Sequence, residues 1–146
     1  MGDESMDNGE KVIKHLEMTQ AVINRLGSNS FLLKGWSMTV IVTTMVLIAR
    51  YDIQNPCLVL VVMFPVLGFW ILDGYFLWQE RLFRQVYDEV RVQSDTDFKM
   101  DVMKHVNKPK CSWWAAMFSI TLVIFYAVEF VFVLVTFAIL QMESAV

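Results

Sequence analysis

The sequence predicts an all-α membrane protein. Three transmembrane helices carry the N-terminus inside and the C-terminus outside, with an N-terminal amphipathic helix and a cytosolic extension of the second span. Three observations predict this. The 146 residues are 56% hydrophobic and 18% charged, against about 45–50% and about 25% in soluble domains. The apolar excess is gathered into three blocks, which suits a bilayer better than one enlarged core. All but one of the twelve Lys and Arg residues flank those blocks on what would be a single side of the membrane.

Residues 1–8 are polar and acidic, and are expected to form a disordered tail. Residues 9–26 follow as an amphipathic helix: Val12, Leu16, Thr19, Ile23 and Leu26 share one face. Gly27 is a natural stop, and Ser28, Asn29 and Ser30 offer caps for the next helix, so 9–30 reads as a cytoplasmic unit. No charged segment leads into an early apolar run as in a signal peptide. The first block is therefore expected to act as its own insertion signal.

The transmembrane domain is expected over 31–140. Its first block, Phe31–Ala49, is about 28 Å long as a helix, close to the hydrocarbon thickness. Arg50 and a polar turn end it. The second block, Cys57–Trp78, contains Pro65 and Gly68, which membrane helices tolerate. No breaker follows Trp78, so one helix should run on through Arg91. Leu82, Phe83, Val86, Tyr87 and Val90 form its apolar stripe there, with Glu80 and Arg84 paired at i,i+4. The cytosolic segment 79–111 then includes a polar connector. In it Ser94 or Thr96 caps a short helix carrying Phe98, Val102 and Val106, and Asn107 to Pro109 stops it. The third block, 112–140, is about 43 Å as a helix, too short for two crossings, and lacks Gly and Pro. One long tilted helix is expected, followed by the tail 141–146.

Lys11, Lys14, Arg25 and Lys34 precede or open the first span. Seven more basic residues lie between the second and third, and only Arg50 lies on the far side. The positive-inside rule then sets the N-terminus and middle segment in the cytoplasm. Trp78, Trp113 and Trp114 fall at the same interface, where aromatic residues are enriched.

Ionisable residues inside the blocks need partners, because each costs about 2.5–3.5 kcal/mol at mid-helix on insertion scales. In an antiparallel hairpin of the first two spans, Lys34 and Asp73 stand at equal depth. They would form an assembly ion pair, or else Lys34 snorkels to the headgroups while Asp73 meets water or Arg81. Gly74 beside Asp73 permits close helix approach. In the third span, Ser119, Tyr126, Glu129 and Thr136 fall within an arc of about 100°. This polar stripe either lines a pore in an oligomer, or glues helices together with Glu129 protonated and hydrogen-bonded. Ser37, Thr39, Thr43 and Thr44 can return hydrogen bonds to their own helix.

No catalytic, cofactor-binding or metal-binding set is apparent. Cys57 and Cys111 lie a membrane thickness apart, too far for a disulfide. His15 and His105 lack partners at ligand spacing. Asp95, Asp97 and Asp101 lack the glycine and glutamate of a calcium loop. No nucleotide-binding or hydrolase motif is present. A net charge of −3 gives no basic excess for nucleic acid. Three spans without a repeated half do not enclose a transport path.

Two stretches, NSFLLKGWSMTV (Asn29–Val40) and FPVLGFWILDGYFLWQERLFRQVYDEV (Phe64–Val90), resemble a family of small, uncharacterised bacterial inner-membrane proteins. The likeness covers about half the chain and includes Lys34 and Asp73. The layout also resembles, more loosely, the SLATT-type membrane effectors of bacterial anti-phage defence, although those lack a long third span. That resemblance implies pore formation on a cytoplasmic trigger, with sensing left to a partner chain because no nucleotide-sensing domain is recognisable here. Two function classes are thus expected for a homo-oligomer in the lipid bilayer. One is a pore-forming or membrane-disrupting effector. The other is a non-catalytic anchor or assembly subunit for a cytosolic partner.

Overall fold

The structure is a computed structural model and describes residues 2–50, 60–106, 108 and 111–144. The chain is all-helical, and no strand occurs among the described residues. Four helices occur there: α1 (Gly2–Arg50), α2 (Met63–Val90), α3 (Trp113–Met117) and α4 (Ile120–Ser144), with a 3-10 turn at Met103–His105. Two of them are long and apolar enough to cross a membrane. These are α1, over Asp7–Ile48, and α4, over Ile120–Met142. The expected turn after Arg50, the start of the second block and Cys57 lie outside the described residues.

The first difference from the sequence reading is at Gly27. No break occurs there, and the expected tail and amphipathic helix are one helix with the first apolar block. A glycine in a helix interior costs about 1 kcal/mol relative to alanine. That is too little to end a helix whose flanks both pack on a neighbour. Glu80 of α2 comes up beside Gly27, its Oε2 at ordinary contact distance, 3.9 Å, from where a Cβ would stand. The stripe of the N-terminal half is as expected in part: Val12, Thr19 and Ile23 are buried, and Leu16 and Leu26 are half-buried. His15 is buried on the same face.

α2 continues without interruption from Met63 through Trp78 to Val90. Its lower half buries Leu82, Val86 and Val90, while Glu80 and Arg84 pair at 2.7 Å on the outside. Two apolar clusters form. One joins Ile41 and Ile48 of α1, Val62 and Val66 of the second segment, and Leu122, Tyr126 and Val133 of α4. The other joins Val12 to Val86 and Val90, with Leu16 and Val102 against them. Hydrophobic burial, at about 25 cal/mol per Å², thus ties α1 to α2 at both ends of their shared length.

The third block is not one long helix. It breaks at Phe118 and Ser119, between α3 and α4. Carbonyls at the break are taken up by α2. Trp70 Nε1 donates to Met117 O at 3.1 Å and Arg81 Nη1 to Ala115 O at 2.9 Å. These external donors replace the partners a straight helix would have supplied. Ahead of α3, Trp78 Nε1 donates to Cys111 O at 2.7 Å. Ser119 is therefore at the start of α4, where its carbonyl accepts from Val123 N at 2.9 Å.

The connector also departs from expectation. No helix carries Phe98, Val102 and Val106; only the short 3-10 turn forms. Side chains compete for the backbone instead. Thr96 Oγ1 accepts from Phe98 N, Asp97 Oδ1 from Lys99 N, and Asp101 Oδ1 from Met103 N. Phe98 has a positive φ of 57°, which interrupts any helix.

The connector is held to α2 by Glu89, which accepts from Lys104 Nζ at 3.1 Å and faces His105 Nε2 at 3.0 Å. The Lys104 hydrogen bond, with the charges of Lys104 and His105, holds the Glu89 carboxyl below its ordinary value of 4.5. A lowered folded-state value stabilises the protein above pH 4.5, and that contribution is lost as pH falls through the lowered value. The side chain is 37% exposed, so the contribution is within about 1 kcal/mol. Thermal unfolding across the acid range should accordingly show Glu89→Gln less acid-sensitive than the wild type. Parallel curves would show that the pair adds nothing.

Candidate functional site

The candidate site is a buried polar cluster where α1, α2 and α4 meet. It is built from residues that an apolar surrounding would otherwise exclude. Asp73 is fully buried, at 0% exposure. Three donors converge on its carboxylate. Lys34 Nζ lies 2.5 Å from Oδ2, Tyr126 Oη donates to Oδ2 at 3.3 Å, and Ser30 Oγ donates to Oδ1. Lys34 also donates to Ser30 Oγ at 2.9 Å, which closes a ring of three polar side chains. The ammonium stands 5.9 Å from the centre of the Phe125 ring. Asp73 is thus satisfied by one cation and two hydroxyls, the kind of full pairing that a buried charge requires.

A second contact lies one turn further along α1. Ser37 Oγ donates to Glu129 Oε2 at 2.6 Å, and both residues are buried. Glu129 Oε1 is buried without a partner. Tyr126 and Glu129 are one turn apart on α4, so the helix presents a phenol to Asp73 and a carboxyl to Ser37 along one face. Trp70 stacks beside Tyr126 at 6.3 Å between ring centres and closes the cluster on the α2 side.

The expected stripe on the third span is therefore divided. Tyr126 and Glu129 point into the chain's own bundle. Ser119 stands at the break, with its hydroxyl 3.3 Å from that of Thr121. Thr136 returns its hydroxyl to Phe132 O at 3.0 Å. Lys34 and Asp73, placed at equal depth by the hairpin argument, are in contact, and Asp73 does not pair with Arg81. Thr39 and Thr44 bond back to Gly35 O and Val40 O at 2.8 Å.

Sequence reasoning missed Ser30 and the role of Ser37. Ser30 reads as a helix cap and Ser37 as a residue satisfied on its own helix. Their signal was the spacing: Ser30, Lys34 and Ser37 follow one another at four and three residues, on one helical face.

Gly74 gives the cluster its close packing. A Cβ there would lie 2.6 Å from Met117 Cγ and 3.3 Å from Met117 Cα. The glycine lets α3 lie directly on α2, just beside Asp73.

The arrangement supplies a desolvated ion pair, two hydroxyl donors and a carboxyl with a spare oxygen. Among the described residues no three His, Cys, Asp or Glu side chains are grouped to hold a metal ion. No family model matches the chain, and no curated protein or solved structure matches it.

Proposed function

We propose that the chain is a homo-oligomeric, multi-pass protein of the bacterial inner membrane that works without catalysis, as an anchor or assembly subunit for a cytosolic partner. It crosses the bilayer three times, with the N-terminus in the cytoplasm and the C-terminus outside. One observation carries this reading. α1 and α2 each run unbroken from an apolar half into a polar half, and the polar cluster clasps them where the two halves join. A rigid connection between membrane and cytosol is what an anchor needs. The other face of α4 supports it: Val128, Val131, Phe132 and Val135 are exposed and apolar, as lipid contact requires. Ile13 and Met18, exposed on the water-facing half of α1, are surfaces that a neighbouring copy would cover.

A second reading is a pore-forming or membrane-disrupting effector of antiviral defence, triggered by a cytosolic sensor protein. The resemblance to SLATT-type effectors suggests it. The half-exposed Ser119 and Thr136 support it, since they leave polar positions on α4 at the surface of the bundle.

Reporter fusions and overexpression test both readings together. A cytoplasmic N-terminus, an external C-terminus and a particle larger than a monomer by mass photometry are expected. An N-terminus outside would reject the topology, and a strict monomer would reject the assembly. Silent overexpression fits the anchor. Depolarisation that Glu129→Leu abolishes would replace the anchor with the effector.

A further inference from the structure

An open groove of about 620 Å³ runs between α1 and α2 on the polar side of the clasp, within the about 300–1,000 Å³ of small-molecule sites. One end of it is polar, formed by Asn24 and Ser28 of α1 with Glu80 and Arg84 of α2. The other end is apolar, formed by Phe31 and Leu32. These two are exposed, at 76% and 56%, and they open the first apolar block. The groove thus passes from polar to apolar walls along α1, which is the polarity profile of an amphiphile. Its depth agrees. Gly27, which also lines it, lies four residues outside Phe31, about 6 Å along the helix. The headgroup layer on each side of the hydrocarbon is about 5–8 Å thick.

The polar end holds a charge pair with bonding capacity left over. Arg84 donates to Glu80 Oε1 from Nε at 2.9 Å and from Nη2 at 2.7 Å. Among the described residues, Arg84 Nη1 and Glu80 Oε2 take no part in any hydrogen bond. The Arg84 side chain is 63% exposed and that of Glu80 15%. The guanidinium is therefore reachable from outside, and the carboxylate stands deeper, against Gly27.

The two charges cancel, and that selects among headgroups. A purely anionic headgroup would satisfy Arg84 and set a second negative charge beside Glu80. A zwitterion matches both: its phosphate accepts from Arg84 Nη1 and its ammonium donates to Glu80 Oε2, each a charge-assisted hydrogen bond. A primary ammonium can make that bond. A trimethylated one has no N–H to donate, and its bulk keeps it from a carboxylate seated against a helix backbone.

We propose that this groove seats one phospholipid whose headgroup joins a phosphate to a primary ammonium, the chemistry of phosphatidylethanolamine. The headgroup lies across Glu80 and Arg84, and an acyl chain leaves over Phe31 and Leu32 into the bilayer. The lipid fills the seam between α1 and α2 next to the clasp. This rests on the membrane reading above and holds for the anchor and the effector alike.

The full-length protein in detergent micelles is titrated with phosphatidylethanolamine, phosphatidylcholine and phosphatidylglycerol of identical acyl chains, and bound lipid is counted by native mass spectrometry. Phosphatidylethanolamine should bind about tenfold more tightly than either of the others, the worth of one charge-assisted hydrogen bond. Arg84→Gln and Glu80→Gln should each remove that preference. Gly27→Leu suits a helix interior and stands a side chain in the groove, so it should remove the preference without lowering Tm. Equal binding of the three lipids, which is annular contact only, would overturn the proposal. Tighter binding of phosphatidylglycerol, or an unchanged preference in Gly27→Leu, would overturn it as well. Flotation with vesicles of the same lipids separates the two readings. A protein that floats without any preference loses this site alone, and one that floats with none of the vesicles loses the membrane reading and the site together.

Discussion

Lys34→Met should destabilise the protein by about 3–5 kcal/mol, more than any other single change in the clasp. Its partner Asp73 is fully buried. Without Lys34 the carboxylate keeps only the hydroxyls of Ser30 and Tyr126, and two neutral donors do not replace a cation in a low-dielectric setting. Asp73→Asn should do less, about 1.5–3 kcal/mol. The asparagine oxygen still accepts, and the Lys34 side chain is 23% exposed, so it can extend toward the headgroups. Unfolding of the purified protein in mixed micelles gives both values. The reverse order would mean that Lys34 does not balance the buried charge.

The charge-swapped pair, Lys34→Asp with Asp73→Lys, should recover part of the loss of either single reversal, and not all of it. Ser30 and Tyr126 donate to an acceptor at position 73. A lysine there would require both hydroxyls to turn and accept. Absence of any recovery would indicate that the two charges do not interact energetically.

Much of this arrangement was legible once α1 is taken as a single helix. The spacing that sets Val12, Leu16, Thr19 and Ile23 on one face continues through Ser30, Lys34, Ser37 and Ile41. Val12, His15, Thr19, Ile23, Ser37, Ile41 and Ile48 are buried along this long helix. Placing a stop at Gly27 hid that continuity. The helix passes through that position because residues on both sides of it pack on α2, a tertiary reason that no local propensity reveals. Depth alone brought Lys34 to Asp73, because an antiparallel hairpin fixes depth from residue number. Ser37 and Glu129 were not paired by that route. They belong to helices whose relative register depends on the break at Phe118 and on how the connector returns.

That break had no sequence signal. The third block contains neither Gly nor Pro, and its interruption is sustained by Trp70 and Arg81 reaching across from α2. The connector carried the opposite problem. Its apolar spacing suggested a helix, while Thr96, Asp97 and Asp101 had the chemistry to divert the backbone into turns. The contact of the buried His15 with Thr96 belongs to that same turn.

Gly74→Ala should destabilise the protein by about 1–3 kcal/mol, although alanine favours a helix. Replacing an interior helical glycine by alanine ordinarily adds about 0.5–1 kcal/mol of stability. Here the backbone allows alanine, since Gly74 lies inside α2 and no glycine among the described residues has a positive φ. The obstacle is Met117, whose Cγ would be 2.6 Å from the new methyl group. Met117 is itself 6% exposed and has little room to retreat. Met117→Ala removes Cγ and leaves Cα as the nearest atom, at 3.3 Å, a tight but tolerable approach. In that background Gly74→Ala should therefore be neutral or stabilising. A change of sign between the two backgrounds, read from four unfolding curves, measures the coupling directly. The same destabilisation in both backgrounds would place the constraint on α2 itself. Since α3 lies on α2 beside Asp73, Gly74→Ala should also loosen the clasp and lower the cost of Lys34→Met in the same background.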